Sequence, residues 1–571
     1  RAMEKKLSLL LDSFDCKAVA ADGTSPLDHS LIGATPIEGL AFDSHEVKNN
    51  YLFFALPGSH ANGNDFIASA IDSGASVVVF EGSLTKEQSA QIARAIVARA
   101  LGNMADKSKK LSDLVLPVLL KTQSARKSMS PIAAEFYENP SKKLIVIGVT
   151  GTEGKSSTVS FIWQFLRLSG KKAGFISTVQ YSLGGDAVAN PVHATTPEAP
   201  IIQRELYEMV QNGCEYAVVE SSSHGLSKEL ARLDNVLFDC AVFMNVTLEH
   251  LEFHKTFEKY RDDKANLFRA LDSHSHNKTV NKLELDITPY GIVNLDDLSA
   301  KYFCEATNAE CFGFSARGQK QSDGENDFCR GFLTAQKIDS GQRRLEFEIE
   351  SGSAFDSSNQ TIGISTPCVG AFNALNIMAA MIAVNKMAQI PLRQLARHAA
   401  NLQPIAGRMT KIERGQAFEV IVDYAHTPSS FETIFPPIRA RCEGKIFALF
   451  GSGGERDTSK RPLQGEIAAK YCDTIILCDE DPRGEDPRAL LQQIAQGALK
   501  GAKAMDKDLF ITPDRPSAIR QAFNMAKKGD IVLLLGKGHE NSIIYKDRTM
   551  PYDEIAEAKK ALGEMGFKKD I

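Results

Sequence analysis

The residue types of segment 148–157, and the order in which they occur, could bind a polyphosphate. A hydrophobic run leads into a glycine-rich turn with Lys155 and two serines, and helix-forming sequence follows. Backbone N–H groups and a lysine in this order can hold phosphates at a helix N-terminus. Gly148 lies six residues before Gly154, one more than in the common phosphate-binding loop. Glu153 also adds a carboxylate among the phosphate-binding groups, so the loop predicts a nucleotide site with one unexplained acid.

Other polar residues follow hydrophobic runs that are typical of buried strands. Glu220 ends one such run beside three serines, and His250 and Lys264 come after another. A carboxylate, an imidazole and the Ser156 hydroxyl are plausible ligands for a hard cation between phosphates. A single strand-end glutamate or histidine is more often a cap or a turn residue. Several of them at one sheet edge favour a magnesium site instead.

Composition excludes several classes of function. The chain has 571 residues, of which 43% are hydrophobic and 24% charged, and its net charge is −5. The charge gives no reason to expect nucleic acid, and no apolar run approaches the ~20 residues of a membrane span. Ten cysteines include no CxxC pair, so we expect buried thiols, a reducing cytoplasm and no zinc site. The segment 1–16 is typical of an amphipathic helix start rather than a signal peptide.

Strands and helices alternate in three blocks of sequence, at about 38–118, about 122–400 and from about 403 onwards. Several apolar runs, such as YAVVES and DTIILCDE, lead into a polar turn and then a helix. This alternation predicts an α/β fold with parallel sheets and with ligands at the carboxyl ends of the strands. The segment 272–345 is more polar and irregular, so we expect insertions or mobile loops there.

Ten further segments, in order, follow the N-terminal FDSHEVKNNYLFFALPGS: GVTGTEGKSST, TTPE, ESSSHGL, NVTLEHLEFH, GAFNALNIMAA, GRM, VDYAHTP, GSGGERDTSKRP, DPRGEDP and GKGHE. Together they closely resemble the Mur ligase family of peptidoglycan synthesis, in particular the type that adds the third peptide residue. The resemblance covers essentially the whole chain. It implies three α/β domains: a UDP-muramoyl substrate-binding domain over 1–121, a central P-loop ATPase-like parallel-sheet domain over 122–402, and a Rossmann-like amino-acid-binding domain over 403–571.

The resemblance implies an ATP-dependent amide-forming ligase of cell wall biogenesis, which serves cell shape and cell division. We expect a cytoplasmic monomer that uses ATP, Mg²⁺, UDP-N-acetylmuramoyl-L-alanyl-D-glutamate and a free diamino acid. The D-glutamate carboxylate would attack the γ-phosphate to give an acyl phosphate, and the incoming amine would then displace phosphate. Because this reaction joins anionic groups, catalysis would consist mainly of positioning and charge neutralisation.

The family's motifs also imply roles for individual residues, in five sets. The catalytic set is Lys155, Glu220, His250 and Lys264. The metal set is Ser156, Glu220, His250 and Lys264, with Lys264 carbamylated and therefore anionic. The ATP set is Gly151, Thr152, Glu153, Gly154, Lys155, Ser156, Ser157, Asn373, Asn376, Arg408 and Asp423. The UDP-muramoyl dipeptide set is Asp43, Ser44, Thr195, Thr196, Ser222 and Arg232. The amino-acid set is Arg456, Glu480, Asp481, Pro482, Arg483, Gly536 and Glu540.

Three positions outside the amino-acid set depart from the family's usual pattern. His45 stands where an arginine usually follows Asp43 and Ser44, which weakens one phosphate or uracil contact, and Arg232 comes two residues late. Glu153 stands where asparagine is usual. Two like charges about 4 Å apart at an effective dielectric near 20 repel by about 4 kcal/mol. We therefore expect the Glu153 carboxylate to point away from the phosphates and to pair with a nearby cation, or to reach magnesium through water.

Two residues give opposite predictions for the amino acid that is added. Arg483 matches the arginine that binds the distal carboxylate of meso-diaminopimelate, for which a guanidinium is suited. Asp481 replaces an asparagine, and its added negative charge favours L-lysine or L-ornithine. Glu540 and Asp481 both favour a distal amine, so we expect a diamino acid, with meso-diaminopimelate slightly favoured.

The sequence leaves two alternative functions open. A folylpolyglutamate synthase shares the loop and a segment like DYAHTP, but it has no comparable uridine-nucleotide domain. A non-catalytic homologue that acts as a scaffold would account for Glu153. The charged residues Lys155, Glu220, His250 and Lys264 are all present, which argues against that second alternative.

Overall fold

The computed structural model describes residues 3–28, 32–58, 62–105, 116–190, 195–247, 254–317, 327–341, 343–352, 354–355 and 360–568. Within these residues three α/β units follow one another, each built on a mainly parallel sheet. The predicted three-domain α/β architecture is therefore confirmed, whereas the exact domain boundaries stay a prediction. None of the described helices combines the length and apolar character that a membrane span requires.

The first unit has a sheet whose described strands, in spatial order, are Lys17–Val19, Val118–Thr122, Ala75–Glu81, Tyr51–Ala55 and Gly39–Ala41. Among the described strands of this sheet, only Lys17–Val19 runs antiparallel to its neighbour. A short ladder pairs Lys5–Lys6 with Pro36–Ile37. The described helices are Ser8–Leu11, Ile67–Ser73, Lys86–Ala105 and Ala125–Phe136, with 3-10 turns at Ser44–Glu46 and Gly63–Phe66. The helix Ala125–Phe136 buries Met129, Ile132 and Phe136 against this sheet.

The central unit has the largest sheet, whose described strands, in spatial order, are Val188–Ala189, Gln180–Ser182, Ala173–Ile176, Tyr216–Glu220, Ile145–Thr150, Cys240–Phe243, Tyr290–Asn294, Glu310–Ser315, Gly331–Ser340, Leu345–Ser351 and Gln360–Thr366. Its described helices are Lys155–Leu168, Ala199–Gln211, Ser223–Leu226, Phe257–Ala270, Ala300–Cys304, Asn373–Ala388 and Leu392–His398, with 3-10 turns at Pro140–Lys143 and Ala399–Asn401. Helices cover both faces, and the middle strands are accordingly buried along their whole length.

The register of the middle strands places the ends of three strands side by side. Val149 pairs with Glu220, and Thr150 pairs with Phe243. Because the three strands are parallel, the phosphate-binding loop, Glu220 and the residues after Phe243 all leave the sheet at its carboxyl edge.

The expectation of insertions or mobile loops within 272–345 is wrong for the parts of that segment that form strands. It contributes the strands Tyr290–Asn294, Glu310–Ser315 and Gly331–Ser340 to the central sheet, and a hairpin formed by Asn277–Val280 and Leu283–Asp286. These strands mix apolar with polar residues and are separated by polar turns, so their local periodicity is weak. Tyr290–Asn294 is held by pairing with Cys240–Phe243, and the next two strands extend the sheet from it.

The third unit has a sheet whose described strands, in spatial order, are Thr410–Ile412, Glu419–Asp423, Ile531–Leu535, Ile446–Phe450, Thr474–Leu477 and Leu509–Ile511. The described helices are Pro428–Arg441, Lys460–Tyr471, Pro487–Lys500, Arg515–Met525 and Glu554–Glu564, and Ser542–Ile544 pairs with Thr549–Pro551. Arg515 is fully buried, pairs with Glu554 at 2.8 Å and donates to the Leu535 carbonyl at 2.7 Å. This contact fixes the strand end that leads into 536–540.

Candidate active site

The phosphate-binding loop follows Ile145–Thr150 and precedes the helix Lys155–Leu168. Gly154 has φ +81°, and a Cβ atom there would lie 2.6 Å from Asn376 Oδ1, so glycine is required. The backbone N–H groups of Thr152 and Glu153 donate to Asn245 Oδ1 at 3.1 and 2.8 Å. Asn245 therefore shapes the loop, although the predicted site sets omit it. Its place shortly after a buried strand was the signal in the sequence that could have identified it.

Two lysines contact the carbonyl groups of this loop. Lys155 Nζ donates to the Thr152 carbonyl at 2.7 Å, and Lys264 Nζ donates to the Gly151 carbonyl at 2.7 Å. Lys264 is buried, and its Nζ lies 4.5 Å from the centre of the Tyr260 ring. The structure thus brings both predicted lysines to the loop from different helices.

The Ser156 hydroxyl lies between the loop and the neighbouring strand end. It lies 3.1 and 3.0 Å from the two carboxylate oxygens of Glu220. Glu220 Oε2 also accepts from Ser177 Oγ at 2.5 Å and from the Thr178 N–H at 2.9 Å. A hydroxyl and a carboxylate in contact at a phosphate-binding loop have the donor chemistry that Mg²⁺ requires. The third predicted metal ligand, His250, lies outside the described residues.

A cavity of about 280 Å³ lies between the central and third units. The predicted ATP residues that line it are Glu153, Gly154, Ser156, Ser157, Asn373, Asn376, Arg408 and Asp423. Asn294, Thr247, Ser429 and Thr433 also line it but are absent from the predicted sets. Asn294 ends a buried strand in the same way as Glu220, and that position was a signal for it in the sequence.

Asp423 lies on the far wall of this cavity. Burial raises the pKa of its carboxyl, whereas Arg408 and two backbone N–H groups oppose the rise. Those groups belong to Met409 and Ala425, each 2.8 Å from a carboxylate oxygen. The Arg408 guanidinium stacks over the Tyr424 ring at 4.7 Å. The acid and the arginine are thus held in fixed positions on the wall that faces the loop.

Glu153 reaches across the cleft to the third unit. Its Oε1 accepts a hydrogen bond from Thr427 Oγ1 at 2.8 Å. A second bond between the two units joins Thr247 Oγ1 to Ser429 Oγ at 3.2 Å. Glu153 thus has a hydroxyl partner from the third unit, a kind of partner that the sequence did not suggest.

The UDP-muramoyl dipeptide set divides between two places. Thr196 Oγ1 donates to the Glu220 carbonyl at 3.1 Å and contacts Ser222 Oγ at 2.9 Å. Arg232 donates to the Thr196 carbonyl at 2.9 Å and pairs with Glu198 at 2.7 Å. Thr195 adjoins this group in the chain. These residues therefore cluster next to the Ser156–Glu220 contact.

Asp43 and Ser44 lie in the first unit, after the strand Gly39–Ala41. Asp43 Oδ1 accepts from both the backbone N–H and the ring Nδ1 of His45, each at 2.9 Å. The hydrogen bonds from His45 lower the pKa of the Asp43 carboxyl. No described contact joins this pair to the Thr196 cluster.

Most of the amino-acid set meets at the carboxyl edge of the third sheet. Lys537 is buried and pairs with Asp481 at 2.9 Å and with Glu540 at 2.6 Å. Burial acts to lower the pKa of Lys537, but Glu540 and Asp481 raise it overall. Lys537 is absent from the predicted set, although it belongs to the GKGHE segment. It neutralises part of the acidic charge in this cluster.

Glu480 belongs to this cluster, and the loops that carry Arg456 and Arg483 adjoin it. Burial raises the pKa of Glu480 to about 7, and its Oε2 has no hydrogen-bond partner among the described residues. A Cβ atom at Gly536, where φ is +97°, would lie 2.6 Å from that oxygen. Pro482 approaches Gly454 in the loop that carries Arg456. Within the described part of the chain, Arg483 forms no ion pair, and its Nε is buried without a hydrogen-bond partner.

Comparison with known proteins gives matches along most of the chain. Family models match residues 36–137 (Mur ligase family, catalytic domain), 149–384 (Mur ligase middle domain) and 407–538 (Mur ligase, glutamate ligase domain). A UDP-N-acetylmuramyl-tripeptide synthetase from Treponema denticola is 48% identical over 91% of this chain and 90% of its own length.

Two further comparisons are more distant. A UDP-N-acetylmuramoyl-L-alanyl-D-glutamate--2,6-diaminopimelate ligase from Geobacillus kaustophilus is 34% identical over 94% of this chain and 96% of its own length. A solved structure of a protein with that same activity in its name has a TM-score of 0.55 at 23% identity, covering 96% of this chain and 99% of that one. The structural likeness supports the same three-domain fold.

Proposed function

Because the chain belongs to the Mur ligase family, we propose that it joins a diamino acid to the D-glutamate of UDP-N-acetylmuramoyl-L-alanyl-D-glutamate. The reaction is ATP-dependent amide formation in peptidoglycan synthesis. An acyl phosphate on the D-glutamate side chain is the proposed intermediate. The proposed setting is the cytoplasm, with the enzyme as a monomer.

One observation carries the proposal: the ATP cavity adjoins the amino-acid cluster through neighbouring residues of one strand end. Asp423 lines the cavity, and the next residue, Tyr424, donates from its hydroxyl to Glu540 at 3.3 Å. Glu540 in turn shares Lys537 with Asp481. An acyl phosphate formed at a nucleotide in the cavity would therefore lie close to an amine bound in the cluster, as the attack of that amine requires.

The proposed chemistry depends on charge neutralisation around the phosphates. The loop backbone and Lys155 would hold the triphosphate, while Arg408 would reach it from the opposite wall. Ser156, Glu220 and a carbamylated Lys264 would hold magnesium, which supplies further neutralisation of the phosphate oxygens when it is bound. Thr196, Ser222 and Arg232, which cluster beside Glu220, would orient the muramoyl dipeptide.

The choice among diamino acids depends on Asp481 and Arg483. The Asp481 carboxylate accepts from Lys537 and from the Ile544 N–H, each at 2.9 Å, so its charge is largely offset. Arg483 has no ion pair among the described residues, and its guanidinium could bind a distal carboxylate. These contacts support meso-diaminopimelate slightly over L-lysine or L-ornithine. Glu480 and Glu540 support a distal ammonium, which all three share.

A phosphate-release assay tests the proposal directly. Purified protein with Mg²⁺, ATP and the UDP-muramoyl dipeptide would receive meso-diaminopimelate, L-lysine or L-ornithine in separate reactions. We expect amino-acid-dependent release with at least one of them and the highest kcat/KM with meso-diaminopimelate. Release with tetrahydrofolate and glutamate instead would support a folylpolyglutamate synthase, and no release with any substrate would support the scaffold alternative.

A further inference from the structure

Glu153 poses an electrostatic problem within the proposed ATP site. It lines the same cavity as Gly154 and Ser156, so a carboxylate shares the space with a polyanion. Unless its charge is directed elsewhere, it would repel the phosphates at short range. The way the protein holds this side chain therefore matters for nucleotide binding.

Thr427 holds the Glu153 carboxylate through a hydroxyl group that is itself fixed. Thr427 is buried, and its Oγ1 accepts from the Ser430 N–H at 3.1 Å as the N-cap of the helix Pro428–Arg441. The Thr427 N–H donates to Ser430 Oγ at 3.0 Å, which completes a capping box. A hydroxyl has one proton and two lone pairs, so Thr427 can cap its helix and still donate to Glu153.

The helix adds a second attraction. Pro428–Arg441 has 14 residues, and the positive end of its dipole lies at Thr427, where a carboxylate is stabilised. The helix belongs to the third unit and Glu153 to the central unit, so both attractions act across the cleft. The Thr247–Ser429 hydrogen bond joins the same two units beside them.

From this arrangement we infer that Thr427 is a positioning residue that holds the Glu153 carboxylate away from the phosphates, so that ATP binds well only while the third unit is docked. The inference rests on the proposed ATP site. Glu153 thereby links nucleotide binding to the docked arrangement in which the amino-acid cluster adjoins the cavity. The loop then tolerates an acid because the Glu153 carboxylate binds Thr427 and the helix N-terminus of the third unit rather than facing the phosphates.

Two conservative changes at Glu153 test this link without altering the helix. Glu153→Asp keeps the charge but shortens the side chain, so it loses the reach to Thr427; we expect ATP to bind about tenfold more weakly. Glu153→Gln removes the charge, and its carbonyl can still accept from Thr427; we expect ATP to bind severalfold more tightly than to the unchanged protein. Isothermal titration calorimetry with ATP and Mg²⁺ measures both without any ligase reaction.

A double mutant separates the charge from damage to the helix cap. Thr427→Val removes both the donor and the cap, and we expect it to weaken ATP binding about tenfold. Adding Glu153→Gln should restore most of the lost ATP affinity, since the carboxylate charge that Thr427 no longer holds is gone. A purely structural defect would leave the double mutant as weak as Thr427→Val. Thr427→Ser keeps both functions and serves as the matched control, and thermal melting confirms that each variant is folded.

The outcomes are distinct. Weaker ATP binding by Glu153→Asp, together with restoration in the Thr427→Val, Glu153→Gln double mutant, supports the inference. Equal binding by Glu153→Asp and Glu153→Gln, or a double mutant as weak as Thr427→Val alone, would overturn it. If the unchanged protein binds ATP but releases no phosphate with any diamino acid, the proposed function fails while these binding comparisons still decide the role of Thr427.

Discussion

The Ser156 hydroxyl contacts the carboxylate of Glu220 at 3.0 Å, although the two residues lie 64 positions apart in the chain. The contact forms because two adjacent parallel strands end in register, one leading into the phosphate-binding loop and the other ending at Glu220. It gives the proposed magnesium site two oxygen donors on rigid elements.

Glu220→Gln tests that site. The amide keeps the shape of the side chain but loses the negative charge that a divalent cation requires. We expect kcat to fall by about a hundredfold or more and the Mg²⁺ concentration for half-maximal activity to rise. Phosphate release across a Mg²⁺ titration measures both. An unchanged magnesium dependence would remove Glu220 from the metal set.

Lys155→Ala tests the loop. The developing phosphate charge would lose its main cation, so we expect turnover to fall to background, a loss of about 10³-fold or more. The exposed Lys127, on the helix Ala125–Phe136, gives the matched control Lys127→Ala, which should retain activity. Near-normal phosphate release by Lys155→Ala would contradict the assigned role.

Arg483→Ala tests the amino-acid pocket. Since the guanidinium is proposed to bind a distal carboxylate, we expect kcat/KM to fall about tenfold to a hundredfold with meso-diaminopimelate and to change little with L-lysine. Arg488, exposed in the same unit, provides Arg488→Ala as a control. Equal losses with both amino acids would assign Arg483 a structural role.

Lys264 tests the carbamate. Its amine is buried beside the loop, and a carbamate there would carry the negative charge that a metal ligand needs. We expect activity to fall when carbon dioxide is removed and to return when bicarbonate is added. Protein labelled with ¹³C-bicarbonate should give a carbamate NMR signal that Lys264→Ala lacks. A signal that survives in Lys264→Ala would place the modification elsewhere.

Glu480 gives a prediction about stability and pH. Burial raises the pKa of its carboxyl from an ordinary value of 4.5 to about 7. Between those two values the folded state keeps a proton that the unfolded chain has lost, so the free energy of unfolding decreases as the pH rises through this window. Glu480→Gln should reduce that decrease, measured by urea unfolding from pH 4.5 to 8, whereas Glu443→Gln at an exposed glutamate should not. An unchanged pH dependence in Glu480→Gln would contradict the raised pKa.

Local sequence was enough to locate the residues that follow buried strands. Glu220 ends a five-residue apolar strand, and the loop follows another, so the shared sheet edge could be inferred from pattern alone. The strands within 272–345 could not be inferred in this way, because mixed apolar and polar residues separated by polar turns give little periodicity. They are placed instead by the pairing of Tyr290–Asn294 with Cys240–Phe243 and by pairing with one another.

Contacts between distant segments also could not be predicted from the sequence. Thr427 lies 274 positions from Glu153, and Lys537 lies 56 positions from Asp481. Each contact depends on how two separate loops approach in three dimensions. Sequence identified the unusual acids Glu153 and Asp481, but only the fold supplied the partners that offset or direct their charges.

The most direct test of the central claim is mass spectrometry of the products formed from ATP, a diamino acid and UDP-muramoyl dipeptide labelled with ¹⁸O in the D-glutamate side-chain carboxylate. The account predicts a UDP-muramoyl tripeptide and one ¹⁸O atom in the released phosphate, because the carboxylate oxygen leaves with the phosphoryl group. Unchanged dipeptide with all three diamino acids, or tripeptide formed without ¹⁸O in the phosphate, would contradict it.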